Sequence, residues 1–517
     1  MGEQSNRRQY LWLLFLGTVL LCVLLNRLVL GHMPHGWDEV SYHFQGQVFA
    51  DGRVWAPGSP HIECFWNANV VNRIDKRFSK YPPGWPLLLA PAMALRAPEL
   101  ANACLTGLTV ILLWHLARRW WGEREAWITA ALALLSPFFT FMGSNFLSHM
   151  PCAALLLSGL WAMIRSLEAP SARTGWLWAL AAGACIAWAG LIRPYSAILG
   201  LAGNVWIAAW MQGLQVRPWL RLGLGSVPPA LAALAILLGF NAATTGHPLL
   251  MGYTQYSPDL NFLGVTGVHR ESILHNVAAN VPQIARGLSR HIWGTPWLDL
   301  LPLLLLPLIR PCERTSWALT GAAALFCLAH SLYYYFDFYY GPRLVFETMP
   351  WILLGSGRTI ALLPWPSRRL RVAVIAGVAG VLALGPVRLY ALLCDYYATN
   401  YCGQGTALRD VVRQRGLSSA VVFLRAGPEA NFAYATLSPL NAVELTESEV
   451  LYARFVPESV GDVMRLMPGR EAWILDVTYE PIPGFSEYAD RFRLTRAIWQ
   501  PVSSDPEEWG GSFQNGG

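Results

Sequence analysis

The sequence predicts an α-helical protein that crosses a membrane about eleven times and ends in a small α/β domain outside it. Three observations predict this. Of its 517 residues, 54% are hydrophobic and only 14% charged, and the mean hydropathy is +0.34, the composition of an integral membrane protein. Apolar runs recur at close to the roughly 20 residues that span the hydrocarbon core. Arginines cluster at every second boundary between these runs, as the positive-inside rule requires. The net charge of +6 therefore reflects topology, and nucleic acid is not implied.

The first run, Leu11 to Leu25 continuing to Leu30, follows Arg7 and Arg8. It is read as a retained span with its N-terminus cytoplasmic, since no small-residue cleavage site precedes Gly31. Further spans are expected at Glu99–Leu116, Ala126–Phe141 and Met150–Leu167. Trp176–Met211 is too long for one crossing, and Arg193-Pro194 should break it into two short helices. Leu222–Phe240, Trp297–Ile309, Ser316–Leu332, Leu344–Leu363 and Val372–Leu393 complete the set. Arg7/Arg8, Arg118/Arg119/Arg124, Arg165/Arg173, Arg217/Arg221, Arg310/Arg314 and Arg368/Arg369/Arg371 then fall on one side. An odd number of spans places the C-terminal tail on the other.

The membrane module is thus assigned to residues 1–398, with two long outside loops at 31–98 and 241–296. Long ordered loops on a bundle usually carry function. In the first, HGWDEVSYH (His35 to His43) follows the first span directly, and Val40, Phe44 and Val48 recur every four residues after it. That period predicts a short amphipathic helix in the membrane interface, with Asp38 and Glu39 in its first turn. Residues 399–517 have soluble composition: SSAVVFLRA and AWILDVTYE read as buried strands, VGDVMRLM as a helix between them, and SSDPEEWGGSFQNGG as a disordered end. No phosphate-binding loop or metal-ligand spacing is present there; acceptor binding and plain packing both remain open for this domain. Most of the nine cysteines lie in apolar runs as core residues. Cys394 and Cys402, with Cys64 as a third candidate, allow one disulfide on the oxidising side.

A first span, a loop opening with Asp38-Glu39 and an interfacial helix, then Tyr81-Pro82-Pro83 leading into the next span: in this order the chain resembles the GT-C superfamily of membrane glycosyltransferases. It is most similar to the branch of protein O-mannosyltransferases and lipid A aminoarabinose transferases, over roughly Arg7 to Leu393. The resemblance implies a GT-C fold, a bacterial cytoplasmic membrane and an active site on its outer face. It also implies a polyprenyl-phosphate-linked sugar as donor and a hydroxyl on a glycan, lipid or protein as acceptor. A hydroxyl is a poor nucleophile and needs a carboxylate to take its proton; by resemblance this is Asp38. Glu39 points about 100° away on a helix, so its part is to orient a neighbour or the substrate.

The departing lipid phosphate gains charge that fixed cations stabilise. The topology puts Lys80, Arg193 in LIRPY and Arg343 in YYGPR on the outer side for this task. With those cations no metal or other cofactor is expected, and the outcome is single displacement with inversion. Tyr42, Tyr81, Asn145, His149 and Tyr340 are the polar side chains available to bind substrate. Related enzymes place acidic or polar groups in the short loop that here offers Asn145 and His149, a departure that bears on donor identity. Trp37, Trp66, Trp85 and Tyr333-Tyr334-Tyr335 could stack on sugars.

Each residue also has a plainer reading. Asp38 could cap its helix with Glu39 favourable in the first turn; Arg193 could be ion-paired; Lys80 and Arg343 could snorkel; His149 could be a structural hydrogen-bonder; the aromatics could form an interfacial belt. From another functional class, a transporter or flippase of a lipid-linked saccharide should show paired broken helices and midplane charge. Only one break stands out here.

Overall fold

The structure, a computed structural model, describes residues 2–257, 270–333, 336–363, 384–398, 404–427, 430–482 and 491–503. Helices dominate. The first, α1 (Gly2–Leu28), leads into α2 (Trp37–Ala50). A three-stranded antiparallel sheet follows, β1 (Ala56–Pro57), β2 (Val70–Asn72) and β3 (Lys76–Ser79) in the order β1-β3-β2. Then come α3 (Gly84–Ala94), α4 (Glu99–Trp120), α5 (Glu123–Leu135), α6 (Pro137–Met142), α7 (His149–Leu167), α8 (Ala172–Ile192), α9 (Pro194–Gln212) and α10 (Val216–Thr245). The second half of the bundle is α11 (Gly252–Tyr256), α12 (Arg270–Leu288), α13 (Leu301–Ile309), α14 (Arg314–His330), a 3-10 turn Arg343–Thr348, α15 (Met349–Leu362) and α16 (384–398). Five described helices, α1, α4, α7, α8 and α10, are long and apolar enough to cross a membrane. Residues 372–383 of the expected last span, and Arg368, Arg369 and Arg371, lie outside the described residues.

Breaks between helices follow local chemistry. Ser136 caps α6 by accepting from the Phe139 N–H at 3.2 Å, and Pro137, which has no N–H to leave unpaired, opens it. At Arg193 the backbone leaves the helical region (φ −141°, ψ 86°) and Pro194 begins α9. The two helices on either side, of 21 and 19 residues, are longer than the pair of short helices expected.

One end of the bundle is held by ion pairs between the arginine-rich termini. Arg7 meets Glu123 at 3.3 Å, Arg119 meets Glu168, and Arg358 bridges Glu125 (2.8 Å) and Glu313 (3.2 Å). The opposite end begins with Arg27 on Glu99 at 2.6 Å, joining the end of α1 to the start of α4. α2 sits there, with Val40 and Val48 buried and α3 packed along it. Ser41 ties α2 to the small sheet, donating to the Asn69 carbonyl at 2.6 Å and meeting the Ser79 hydroxyl at 2.7 Å.

The tail folds as a four-stranded sheet, β5-β4-β6-β7, from β4 (Ala420–Ala426), β5 (Val450–Arg454), β6 (Glu471–Ile482) and β7 (Arg491–Pro501). The two expected strands are β4 and β6, which pair in parallel, and the expected helix is α19 (Val460–Leu466) between them. Two further helices, α17 (Thr406–Arg415) and α18 (Ala430–Leu437), cover the sheet. β5, parallel to β4, and β7, antiparallel to β6, complete it. This sheet shares its core with the first loop: Cys64 and Phe65 are buried against Val421, Phe423 and Ile474. Arg77 and Gln47 reach the carbonyls of Val443 (3.0 Å) and Pro439 (3.1 Å). Cys402, and with it the Cys394–Cys402 pairing, lies outside the described residues.

Candidate active site

Asp38 is the hub of the site. Its backbone belongs to the first turn of α2, yet the helix is capped by Gly36 without a side-chain bond, so the capping reading does not hold. The carboxylate instead faces the sheet and the turn before α15. Oδ1 accepts from Asn69 Nδ2 and from the Tyr81 hydroxyl, both at 2.6 Å, and Oδ2 accepts from Arg343 Nη1 at 2.8 Å. Among the described residues Oδ2 takes this single donor, which leaves it a lone pair for another. Burial alone would push the Asp38 carboxyl up, but the Arg343 and Lys80 charges and the Tyr81 hydroxyl outweigh it and hold the group below the usual carboxylate range.

Arg343 is fixed from two sides. Besides Asp38, it forks onto Asp337, with Nε at 2.9 Å from Oδ1 and Nη2 at 2.7 Å from Oδ2, the bidentate geometry that a guanidinium favours. The chain reaches this position through Tyr340 (φ 60°) and Gly341 (φ 150°). A Cβ on Gly341 would fall 2.6 Å from the Phe138 ring, so both backbone angle and space select glycine in YYGPR.

Lys80 lies beside Asp38, its ammonium over the rings of Tyr256 (4.7 Å) and Tyr81 (5.2 Å). α11 supplies Tyr256 because Gly252 allows it to close on the Lys80 backbone. Among the described residues Lys80 has no carboxylate at ion-pair distance. Burial lowers its pKa, with Asp38 opposing and Arg343 adding to the effect. Glu39 is fully buried on the other face of α2, where Oε2 accepts from the backbone N–H of Phe146 (3.2 Å) and of His35 (3.5 Å). Burial raises its pKa to about 7 against those hydrogen bonds.

The break at Arg193 builds a second charged cluster. Arg193 Nε is 3.0 Å from Glu347 Oε1, and His149 Nδ1 is 3.4 Å from the same oxygen. Arg193 is therefore ion-paired inside the bundle. Ser148, next to it, donates to the Tyr42 hydroxyl at 2.9 Å, and the Tyr42 and Tyr81 rings lie 4.6 Å apart, so packing connects this cluster to Asp38.

Asp38, Arg343 and Asp337 line a cavity of about 250 Å³ with His35, Trp37, Tyr339, Gln404 and Phe432. Other residues expected at the substrate have partners within the protein. The Asn145 side chain accepts from the Leu147 N–H at 2.8 Å. Tyr340 is stacked between Phe141 and Tyr397. Trp85 is fully buried with its indole N–H on the Phe146 carbonyl. Sequence reading missed Asp337 and Glu347. Glu347 carried a usable signal, since a carboxylate inside the apolar run Leu344–Leu363 is costly unless paired. Gln404 and Phe432 carried none, because their place at the site depends on how the tail folds back.

Residues 82–241 match the family described as dolichyl-phosphate-mannose-protein mannosyltransferase. No curated protein matches the chain. Among solved structures, the chain is similar to ArnT from Cupriavidus metallidurans in the apo state, with 14% identity and a TM-score of 0.54 over 95% of this chain and 98% of that one. It is likewise similar to the same protein bound to undecaprenyl phosphate, with 15% identity and a TM-score of 0.54 over 93% of this chain and 97% of that one. The chain therefore shares its fold with ArnT across nearly the whole of both chains.

Proposed function

We propose that the protein is a multi-pass membrane glycosyltransferase that moves a sugar from a polyprenyl phosphate to a hydroxyl outside the cytoplasm, by one displacement with inversion. The observation that carries this reading is the pairing of an ionised, cavity-lining carboxylate, Asp38, with a neighbouring ammonium, Lys80, that has no carboxylate partner among the described residues. The bundle crosses the membrane about eleven times in this reading, with its arginine-rich end in the cytoplasm of a bacterium.

The chemistry follows from the contacts. The acceptor O–H donates to Asp38 Oδ2, and its proton passes there as the oxygen bonds to the anomeric carbon. Asn69, Tyr81 and Arg343 fix the carboxylate and keep it ionised beforehand. The bond from the anomeric carbon to the phosphate oxygen breaks, and Lys80 stabilises the charge gathering on the departing lipid phosphate. Arg343 and Arg193 have their charges balanced by carboxylates, so they hold the site's shape and add to its field. The reaction is proposed to need no metal, because the guanidinium of Arg343 already bridges Asp38 and Asp337. ArnT bound to undecaprenyl phosphate supports a carrier of that class.

The test is sugar transfer in nanodiscs from a panel of radiolabelled polyprenyl-phosphate sugars to a membrane extract. Asp38→Asn should lower transfer by about 10²- to 10⁴-fold, the usual worth of a positioned base, with the protein still monodisperse. A fully active Asn variant would remove Asp38 from the chemistry, and a panel in which no donor is used by the wild type would remove the transferase reading.

A further inference from the structure

The cavity beside Asp38 has one wall that the reaction above does not use. It comes from the C-terminal sheet unit. Gln404 is fully buried at this wall, and among the described residues neither its Nε2 nor its Oε1 has a hydrogen-bond partner. A buried amide carries both donors and an acceptor, and leaving all of them unpaired is unfavourable enough that such groups call for a partner.

His35 lines the same cavity in a similar condition. Its Nε2 lies 2.8 Å from the Leu30 carbonyl. A carbonyl only accepts, so Nε2 carries the proton and Nδ1 is left as an acceptor. Nδ1 is buried and has no partner among the described residues. Burial lowers the His35 pKa to about 4, so the ring is neutral at physiological pH. At the mouth, Trp37 stacks on Phe432 with centroids 5.1 Å apart and planes 17° from parallel, and Trp37 remains 38% exposed.

Electrostatics narrow the ligand. Asp38 and Asp337 are matched by Arg343 and by Lys80 beside Asp38, so these four groups leave no net positive charge at this wall to hold a phosphate. A neutral amide, a neutral imidazole acceptor and a partly exposed indole ring fit adjacent hydroxyls and the C–H face of a pyranose.

We infer that Gln404, with His35, forms a sugar-hydroxyl subsite that holds a pyranose ring against Asp38. The C-terminal unit is then part of the substrate site. The inference rests on the transferase reading, and the ring can belong to the donor or to the acceptor.

Binding to the full chain in nanodiscs separates these. The probes are sugar-free undecaprenyl phosphate, undecaprenyl phosphate carrying mannose, glucose or arabinose, and the methyl glycosides of these sugars with sugar-free lipid present. Wild type is compared with Gln404→Met, which keeps length and removes every hydrogen bond, and Gln404→Glu, which keeps only acceptors. Sugar-free lipid should bind all three alike, which also reports folding. The tightening that a favoured sugar adds should fall about tenfold in Gln404→Met, the worth of roughly one or two neutral hydrogen bonds, and by less in Gln404→Glu. If Gln404→Met fails to bind the lipid, the Gln404→Glu loss decides. A loss on the lipid-linked sugars assigns the ring to the donor, and a loss on methyl glycosides alone assigns it to the acceptor. An undiminished sugar contribution in the folded variants overturns the subsite, as does a wild type that binds the lipid but gains nothing from any sugar. A wild type that binds no sugar-free lipid overturns the transferase reading and the subsite together.

Discussion

At the scale of single residues, Lys80 and Glu39 make opposite use of burial. Burial lowers the Lys80 pKa, so its charge is lost at a pH below the ordinary lysine range. The expected result is that the donor KM rises on an alkaline limb starting below that range. In Lys80→Arg the limb should move to higher pH, because a guanidinium stays charged, while Lys80→Met should raise the KM tenfold or more at neutral pH. A pH profile of donor KM in the three proteins checks this. For Glu39, whose folded pKa is raised to about 7, the native state binds the extra proton. Its contribution to stability is full below the unfolded pKa near 4.5 and is lost as pH rises through about 7. Wild type should therefore lose on the order of 3 kcal/mol between those limits, and Glu39→Gln should flatten the slope in melts at pH 5, 6, 7 and 8. Asp38, Lys80 and Arg343, which the fold brings together, stand out in the sequence as charges beside apolar spans. Which cation stays without a carboxylate was not legible, since it turns on Asp337 and Glu347, reached only through the turn at Tyr340-Gly341.

At the scale of elements, the break between α8 and α9 is where sequence and structure agree on cause and differ in consequence. Pro194 predicts the break, and the break is there; what it does is aim Arg193 into the bundle at Glu347, 154 residues later in the chain. A buried pair of this kind costs desolvation on both sides, and losing one partner strands the other. Glu347→Leu and Arg193→Met should each destabilise by about 3–5 kcal/mol. The double variant should recover much of this, since no unpaired charge remains. Melting temperatures in one detergent would show it, and additive losses in the double variant would mean that the two side chains do not act as a pair. The amphipathic period of α2 is equally readable and predicts a helix in the membrane interface, whereas in the fold Val40 and Val48 are buried within the protein. Periodicity identifies which face is buried and not what buries it.

At the scale of the whole molecule, two facts that sequence treats separately belong together. The arginine clusters alternate along the chain as topology demands, and in the fold Arg7 and Arg119, from two of them, and Arg358 meet glutamates at one end of the bundle. Asp38 and the C-terminal sheet lie at the other, joined through the Phe65 core and the Trp37–Phe432 stack. Composition marked the tail as a soluble unit, but its union with the first loop involves residues hundreds of positions apart, and no local pattern encodes that. If the arginine end is cytoplasmic, the exposed Cys312 between α13 and α14 faces the cell interior while the exposed Glu458 of the sheet unit faces outward. A variant keeping Cys312 as its sole cysteine should resist a membrane-impermeant maleimide in intact spheroplasts and react once they are opened. A Glu458→Cys variant lacking all native cysteines should react in both. The reverse pattern would put Asp38 in the cytoplasm, where the acceptor would have to be cytoplasmic as well, and would overturn the outward-facing site while leaving its chemistry intact.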